Sequence, residues 1–321
     1  MSSASATASV PSSVTATRSS VSRRLDTLVN RFGKWLVIGI PSSFLLVFFA
    51  LPFLVVLKIS LSESDGIAFK EAMTWVDGVW TLQLKFSNFV TVVADNLYVR
   101  AYLSSVKYAS ITTAICLAIG YPFAYFLARS KPNIRPALLM LLMLPFWTSF
   151  LLRVYAWKML LADDGVFNQL LMWVGIQSEP LKMMYTPFSL TLGMVYTYLP
   201  FMVLPLYANL VKMDLRLLEA ARDLGATPFV AFWKVTVPSS KGGIIAGALL
   251  VFIPCVGEFV IPELLGGPRT LMIGRVLWDE FFSNNDWPLA SAVAIVMILL
   301  IIVPLALFSK YQAENTGAKN G

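Results

Sequence analysis

Glu258 lies within a long apolar run, where an ionised carboxylate costs several kcal/mol unless it is paired or hydrated. Its chemistry is therefore that of holding a positive charge, and two sources of that charge are open. Counted from Gly242 at about 1.5 Å per residue, Glu258 stands roughly 24 Å along its run, and the same count from Ala137 brings Arg153 to a similar height. One reading is thus an ion pair between Glu258 and Arg153. The other has Glu258 lining a cation route near its outer mouth, with Tyr196 and Tyr198 close by among Pro200, Pro205, Pro254 and Pro262. Farther along, Trp278, Asp279, Glu280 and Asp286 add acidic and aromatic groups that attract ammonium ions, or are ordinary solvated loop residues.

Bond-making chemistry is not offered by this residue set. The chain has no histidine, which removes histidine triads, histidine-ligated metals and histidine proton relays together. Its two cysteines, Cys116 and Cys255, both fall inside apolar runs, so neither a disulfide framework nor a cysteine metal cluster is indicated. No G-x-x-x-x-G-K-[ST] phosphate loop occurs, since Gly33-Lys34 is followed by Trp35 and lacks the upstream glycine. No catalytic residue, metal or cofactor is expected in this chain.

Composition defines the frame that must position these groups. With 57% hydrophobic and 13% charged residues, the chain departs from the roughly 25% charge of soluble domains. Its mean hydropathy is +0.72. Six runs are long enough to cross about 30 Å of hydrocarbon: residues 35–57, 101–128, 137–161, 187–211, 243–264 and 289–308. The formal charge of +7 is gathered between runs, which suits an anionic membrane surface and not nucleic acid.

Those basic clusters also set orientation. Arg18, Arg23, Arg24, Arg31 and Lys34 precede the first run, and Arg129, Lys131 and Arg135 fill the second connection. Lys212, Arg216, Arg222, Lys234 and Lys241 surround the fourth, so these segments lie inside. Both termini are then cytoplasmic, and the fold class is an all-α integral membrane protein with six transmembrane helices. Residues 1–34 read as a disordered cytoplasmic tail, 35–310 as the membrane domain and 311–321 as a second cytoplasmic tail. Trp75, Trp80, Trp278 and Trp287 in the outer connections are headgroup anchors or contacts for an external partner. Prolines within the runs, from Pro41 to Pro262, bend or interrupt their helices, as a transport cavity would allow. Gly243 and Gly247, four apart, permit close helix approach.

Residues 219–238, EAARDLGATPFVAFWKVTVP, form the cytoplasmic handle of this frame, within a loop spanning 212–242. Leu217, Leu218, Ala221 and Leu224 recur at helical spacing, and Gly225 sits where a helix end favours positive φ. Thr227 and Pro228 supply an N-cap and a first helical position, and Phe229, Phe232 and Trp233 give a second short helix its apolar face, ending before Pro238. Glu219 is an exposed charge. The product is a helix, a glycine turn and a helix, shaped for docking.

The order Glu219-Ala220-Ala221, three residues, Gly225, nine residues, then Val235, Thr236, Val237 and Pro238 resembles the EAA loop of permease subunits in binding-protein-dependent ABC importers. Valine stands where isoleucine and leucine are usual. Segments LPFLVVLKISLSE, LPFWTSFLLRVYAWKML, YTYLPFMVLP, GEFVIPELLGG, MIGRVLWDEFF and DWPLASAVAI extend the similarity over residues 33–310, toward the polyamine-transport permeases and the putrescine system above all.

The resemblance implies a type I importer permease of MetI-like fold in the bacterial inner membrane. It implies a heterodimer with a sister permease, two copies of a cytoplasmic ATPase that carry ATP and Mg, and a periplasmic polyamine-binding protein. Glu219, Ala220, Ala221, Asp223, Gly225, Pro228 and Pro238 would then meet the ATPase. Glu258, Tyr196, Tyr198, Trp278, Asp279 and Glu280 are the candidates for the substrate path. Spermidine or another small cation is the alternative cargo, and a secondary transporter the alternative class.

Overall fold

The computed structural model describes residues 37–65, 68–70, 73–76, 79–82 and 85–317. The expected tail at 1–34 and the residues after 317 lie outside the described residues. The chain divides into two units, one ending at Val56 and one running from Leu57 to Gly321.

The first apolar run is the helix α1, Val37–Ser60, with a π turn at Leu46–Ala50. Two short antiparallel hairpins follow, β1 (Glu63–Asp65) with β2 (Ala68–Lys70), and β3 (Met73–Val76) with β4 (Val79–Leu82). Trp75 and Trp80 are register partners in the second hairpin. Every other described element is helical.

A short helix α2 (Ser87–Ala94) leads into α3 (Asn96–Arg129), which starts where Asp95 accepts the Leu97 N–H at 2.8 Å. At 34 residues α3 is about 51 Å long, which extends the expected run at both ends. The third run is a bent pair, α4 (Arg135–Trp147) and α5 (Phe150–Leu160), crossing at 84°. A helix α6 (Val166–Trp173) precedes α7 (Pro187–Leu210), which opens with a Thr186–Ser189 capping box and Pro187. Next come α8 (Arg216–Asp223), α9 (Pro228–Ser239) and α10 (Lys241–Val256), the last two bent by 66°. The remainder is α11 (Val260–Leu265), α12 (Ile273–Trp278) and α13 (Trp287–Gly317). Among the described residues four helices can each cross a bilayer alone, and the two bent pairs bring the count to six. The last helix runs on to Gly317, through most of the segment expected to be a tail.

Proline breaks fewer helices than the sequence suggests. α3 continues through Pro122 and α7 through Pro200 and Pro205, with Pro200 buried in the bundle and Pro122 exposed on its surface. The breaks fall elsewhere. Thr148 is extended after a 3-10 turn at Leu144–Trp147, Ser240 leaves helical geometry, and the chain unwinds from Gly257 to Phe259.

The core is the contact of α3, α7 and α10. A Cβ at Gly247 would lie 2.8 Å from the Met202 sulfur and 3.1 Å from the Met202 carbonyl, and one at Gly243 would lie 2.8 Å from Asn209 Cβ. The close approach expected of this glycine pair is therefore present. Packing of this kind supplies dispersion attraction where lipid removes the hydrophobic drive. A second cluster joins α2, the start of α3, α12 and α13 through Val92, Tyr98, Tyr102, Ile273 and Val293. There the Tyr102 hydroxyl donates to the Val293 carbonyl at 2.7 Å, and Ser105 Oγ accepts from Ile273 N–H at 2.8 Å.

Candidate functional site

The handle ends α8 with a Schellman closure. Gly225 N–H donates to Arg222 O at 2.8 Å and Ala226 N–H to Ala221 O at 3.0 Å, with Gly225 at φ +83°. Space around Gly225 is open, so the turn requires its conformation and not its small size. Ahead of α8, the Arg216 side chain hydrogen-bonds the Asp214 carboxylate, as does the Arg216 N–H, and together they hold that carboxyl below its ordinary range. Thr227 caps α9 by accepting the Val230 N–H at 3.4 Å, and Pro228 is its first residue.

α9 does not stop before Pro238, as the sequence reading expects. Phe232–Thr236 is a π turn in which Val237 N–H reaches Phe232 O, and helix continues through Pro238 to Ser239. Widening this turn shifts the preceding carbonyls from the positions that the proline ring would strike.

Glu219, Ala220, Asp223, Gly225, Pro228 and Pro238 are exposed, and Ala221 is half-buried. Leu224 (89% exposed) and Phe229 (73%) stand beside them. Leu218 and Ala231 point inward and are buried. Phe232 meets Tyr121 and Tyr125 of α3 edge to face, at 5.5 and 5.6 Å between ring centres. The Tyr121 and Ser240 hydroxyls hydrogen-bond at 2.7 Å. An outward face of small, apolar and charged groups is thus tied by an aromatic cluster to the longest helix. Tyr121 and Ser240 were not legible as anchors, since neither lies in a motif.

Glu258 occupies the break between α10 and α11. One carboxylate oxygen accepts Val260 N–H at 3.1 Å and Ile261 N–H at 3.5 Å, and the other accepts the Tyr198 hydroxyl. The ion pair with Arg153 is not formed. The Arg153 guanidinium instead lies over Phe146, 4.6 Å from the ring centre, and its Nε and one terminal nitrogen have no hydrogen-bond partner. The 84° bend supplies the reason, because it removes the straight helix on which the height count rested. Backbone N–H groups at the start of α11 hold the carboxylate in place without supplying a neutralising charge.

Trp278 stacks on Phe259, the residue after Glu258, with ring centres 4.4 Å apart and planes at 7°. Tyr198, Glu258 and Trp278 therefore gather around one break. Tyr196 does not join them, because it faces Trp157 on another side of α7 at 5.3 Å. Glu280 is separate as well: it is buried and accepts the Tyr98 hydroxyl at 2.7 Å and the Asn284 amide at 2.8 Å. Asp279 opens a π turn beside it. The sequence also gave no sign of Gly274, whose added Cβ would stand 2.6 Å from the Glu258 carbonyl oxygen.

A broken-helix bundle with a carboxylate held at the break and an exposed helix-turn-helix handle defines a membrane transport component rather than an enzyme. Residues 10–314 match the family of binding-protein-dependent transport system inner membrane components, and the chain belongs to it. It is 40% identical over 286 residues to the spermidine/putrescine transport system permease protein PotB of Haemophilus influenzae, covering 89% of this chain and 95% of that one. PotB of Escherichia coli is 41% identical over 271 residues, covering 84% and 94%. Among solved structures, a bacterial ABC transporter involved in the import of the acidic polysaccharide alginate shares the fold at TM-score 0.64 and 16% identity, covering 89% of this chain and 99% of that chain. The MetNI methionine ABC transporter shares it at TM-score 0.52 and 16% identity, covering 67% and 94%.

Proposed function

We propose that this chain is the permease subunit of an ATP-driven importer of polyamines, taking spermidine or putrescine from a periplasmic binding protein. The observation that carries this reading is the Glu258 centre. Its carboxylate is held by Tyr198 and two backbone donors, and no lysine or arginine pairs with it among the described residues. An anion so placed is compensated by a cation in transit. Stacked Trp278 and Phe259 supply the aromatic surface that stabilises ammonium groups. Likeness to the two PotB permeases supports the same cargo class. Their printed name covers both amines, so putrescine is not preferred over spermidine.

In this reading the handle faces the cytoplasm, as do both termini. Glu219, Ala220, Ala221, Asp223, Gly225, Pro228 and Pro238 meet a separate ATPase, present in two copies, and a sister permease completes the path. ATPase closure moves the handle, and the Phe232–Tyr121 and Tyr121–Ser240 contacts pass that motion to α3 and α10. Each partner acts only through its different affinity for the inward and outward states.

The test is co-purification with the neighbouring subunits, reconstitution, and ATP hydrolysis measured against binding proteins and amines. Stimulation by a polyamine-loaded binding protein is expected. Uptake that persists without any ATPase subunit would instead establish a gradient-driven transporter.

A further inference from the structure

Behind the handle, Ala114, Leu117 and Ala118 of α3, Phe232 and Trp233 of α9 and Ile244 of α10 line a cavity of about 390 Å³. That volume falls within the roughly 300–1,000 Å³ of ligand sites. The polar side-chain atoms of its lining are the Tyr121 hydroxyl, already bonded to Ser240, and the Trp233 indole N–H. Neither water nor a cationic amine finds enough partners there, whereas hydrocarbon does. Among the described residues none from α7 or α11, the helices that flank the Glu258 centre, belongs to the lining. The cavity is therefore separate from that centre.

Its depth follows from the Tyr121–Ser240 hydrogen bond, which sets Tyr121 beside the entry of α10, whose first residue is Lys241 and which carries no further charge. From Tyr121 the lining runs along α3 to Ala114, about 10 Å deeper into the bundle. One leaflet supplies about 15 Å of hydrocarbon. The cavity thus lies at the depth of acyl chains on the handle side of the bilayer. At its mouth, Lys234 adjoins Trp233, and Lys241 stands about one turn before Ile244. Both lysines are exposed, and neither has an ion-pair partner among the described residues.

On the functional reading above, on which this step rests, the handle faces the cytoplasm, whose leaflet carries anionic lipid. We infer that the cavity holds one acyl chain of an anionic phospholipid, with its phosphate against Lys234 and Lys241. Trp233, 55% exposed, suits the boundary between chain and headgroup, where an indole has one apolar side and one wet side. A chain seated there lies against Phe232 and Tyr121, the pair through which the handle meets α3. The lipid is then part of that joint.

The experiment places the complete transporter in nanodiscs of phosphatidylcholine containing a rising fraction of phosphatidylglycerol with brominated chains, which quench indole fluorescence on contact. Subtracting the signal of Trp233→Phe isolates the quenching at Trp233. Half of that quenching is expected at a lipid fraction about five-fold or more below the one that brominated phosphatidylcholine requires. Lys234→Gln combined with Lys241→Gln removes the preference, and high salt weakens it. Ala118→Phe, which fills the cavity, abolishes the saturable component; should that variant fail to assemble on size-exclusion chromatography, the exposed lysines decide. Equal quenching by the two lipids overturns the inference, since only bulk lipid then touches Trp233. So does a preference that survives in the double lysine variant, or no quenching by either lipid, which would mean that a protein subunit covers the cavity. Quenching is read without transport, so failure of the functional reading shows separately, as ATP hydrolysis that no loaded binding protein stimulates.

Discussion

The hydroxyls of Tyr121 and Ser240 meet at 2.7 Å, joining the interior of the longest helix to the elbow at which the handle enters the bundle. Ser240 also donates to Val237 O at 3.0 Å, so removal of the tyrosine hydroxyl leaves it bonded. Tyr121→Phe should cost about 1 kcal/mol and leave the subunit assembled, while raising the ATP consumed per amine imported. Ser240→Ala should do the same, and the double variant should be no worse than either alone. Reconstituted vesicles in which both quantities are counted provide the measurement; strictly additive losses would separate the two residues.

Gly225 needs its φ of +83° but has open space around it. Gly225→Val should therefore lose coupled uptake, at a local cost of about 1–2 kcal/mol in the left-handed region. Gly225→Asn should keep most of it, because asparagine tolerates that region. Asparagine and aspartate differ chiefly in charge, so Gly225→Asp set against Gly225→Asn isolates the effect of a negative charge at the docking surface. Equal activity in those two would show that charge there is immaterial.

Glu258→Gln should preserve assembly, because the amide oxygen still accepts from Val260 and Ile261, while amine uptake falls ten-fold or more through loss of the anion. Tyr198→Phe should weaken uptake less, since the carboxylate remains. Radiolabelled uptake beside a thermal-unfolding scan distinguishes a transport defect from a folding one. Normal uptake by Glu258→Gln would take the residue out of the path.

Gly274→Ala should be among the most damaging single methyl additions in the membrane domain. Its Cβ would strike the backbone carbonyls of Gly257 and Glu258, which cannot rotate away, and overpacking of this sort costs about 1–3 kcal/mol. Gly242→Ala is the control, with only Asn209 Nδ2 in ordinary contact at 3.6 Å. Yield of monodisperse protein after detergent extraction should fall for Gly274→Ala alone.

Apolar run length made the six crossings readable, because hydrocarbon thickness sets a length that composition must meet. The handle was readable too: Gly225, Thr227 and Pro228 act through local backbone preferences, which sequence carries directly. What sequence could not carry was the bending. The breaks at Thr148 and at Gly257–Phe259 depend on which neighbours enclose the backbone, so prolines drew attention while Pro122, Pro200 and Pro205 sit in unbroken helices. The misplaced Arg153 pairing has the same origin. The burial of Glu280 under Tyr98 joins residues 182 positions apart, and no local pattern announces it.

The five-residue π turn at Phe232–Thr236 also governs how long this stretch of polypeptide must be. Each residue added to or taken from a helix rotates everything beyond it by about 100°. A π turn takes up one extra residue without that rotation, so a one-residue deletion inside it would restore ordinary α geometry, whereas an insertion or deletion in α9 outside the turn would swing Phe232 off its two tyrosines. The count of residues in α9 outside the π turn is thus dictated by azimuth, as teeth on a gear are, and indels there should be far less tolerable than a single deletion within Phe232–Thr236.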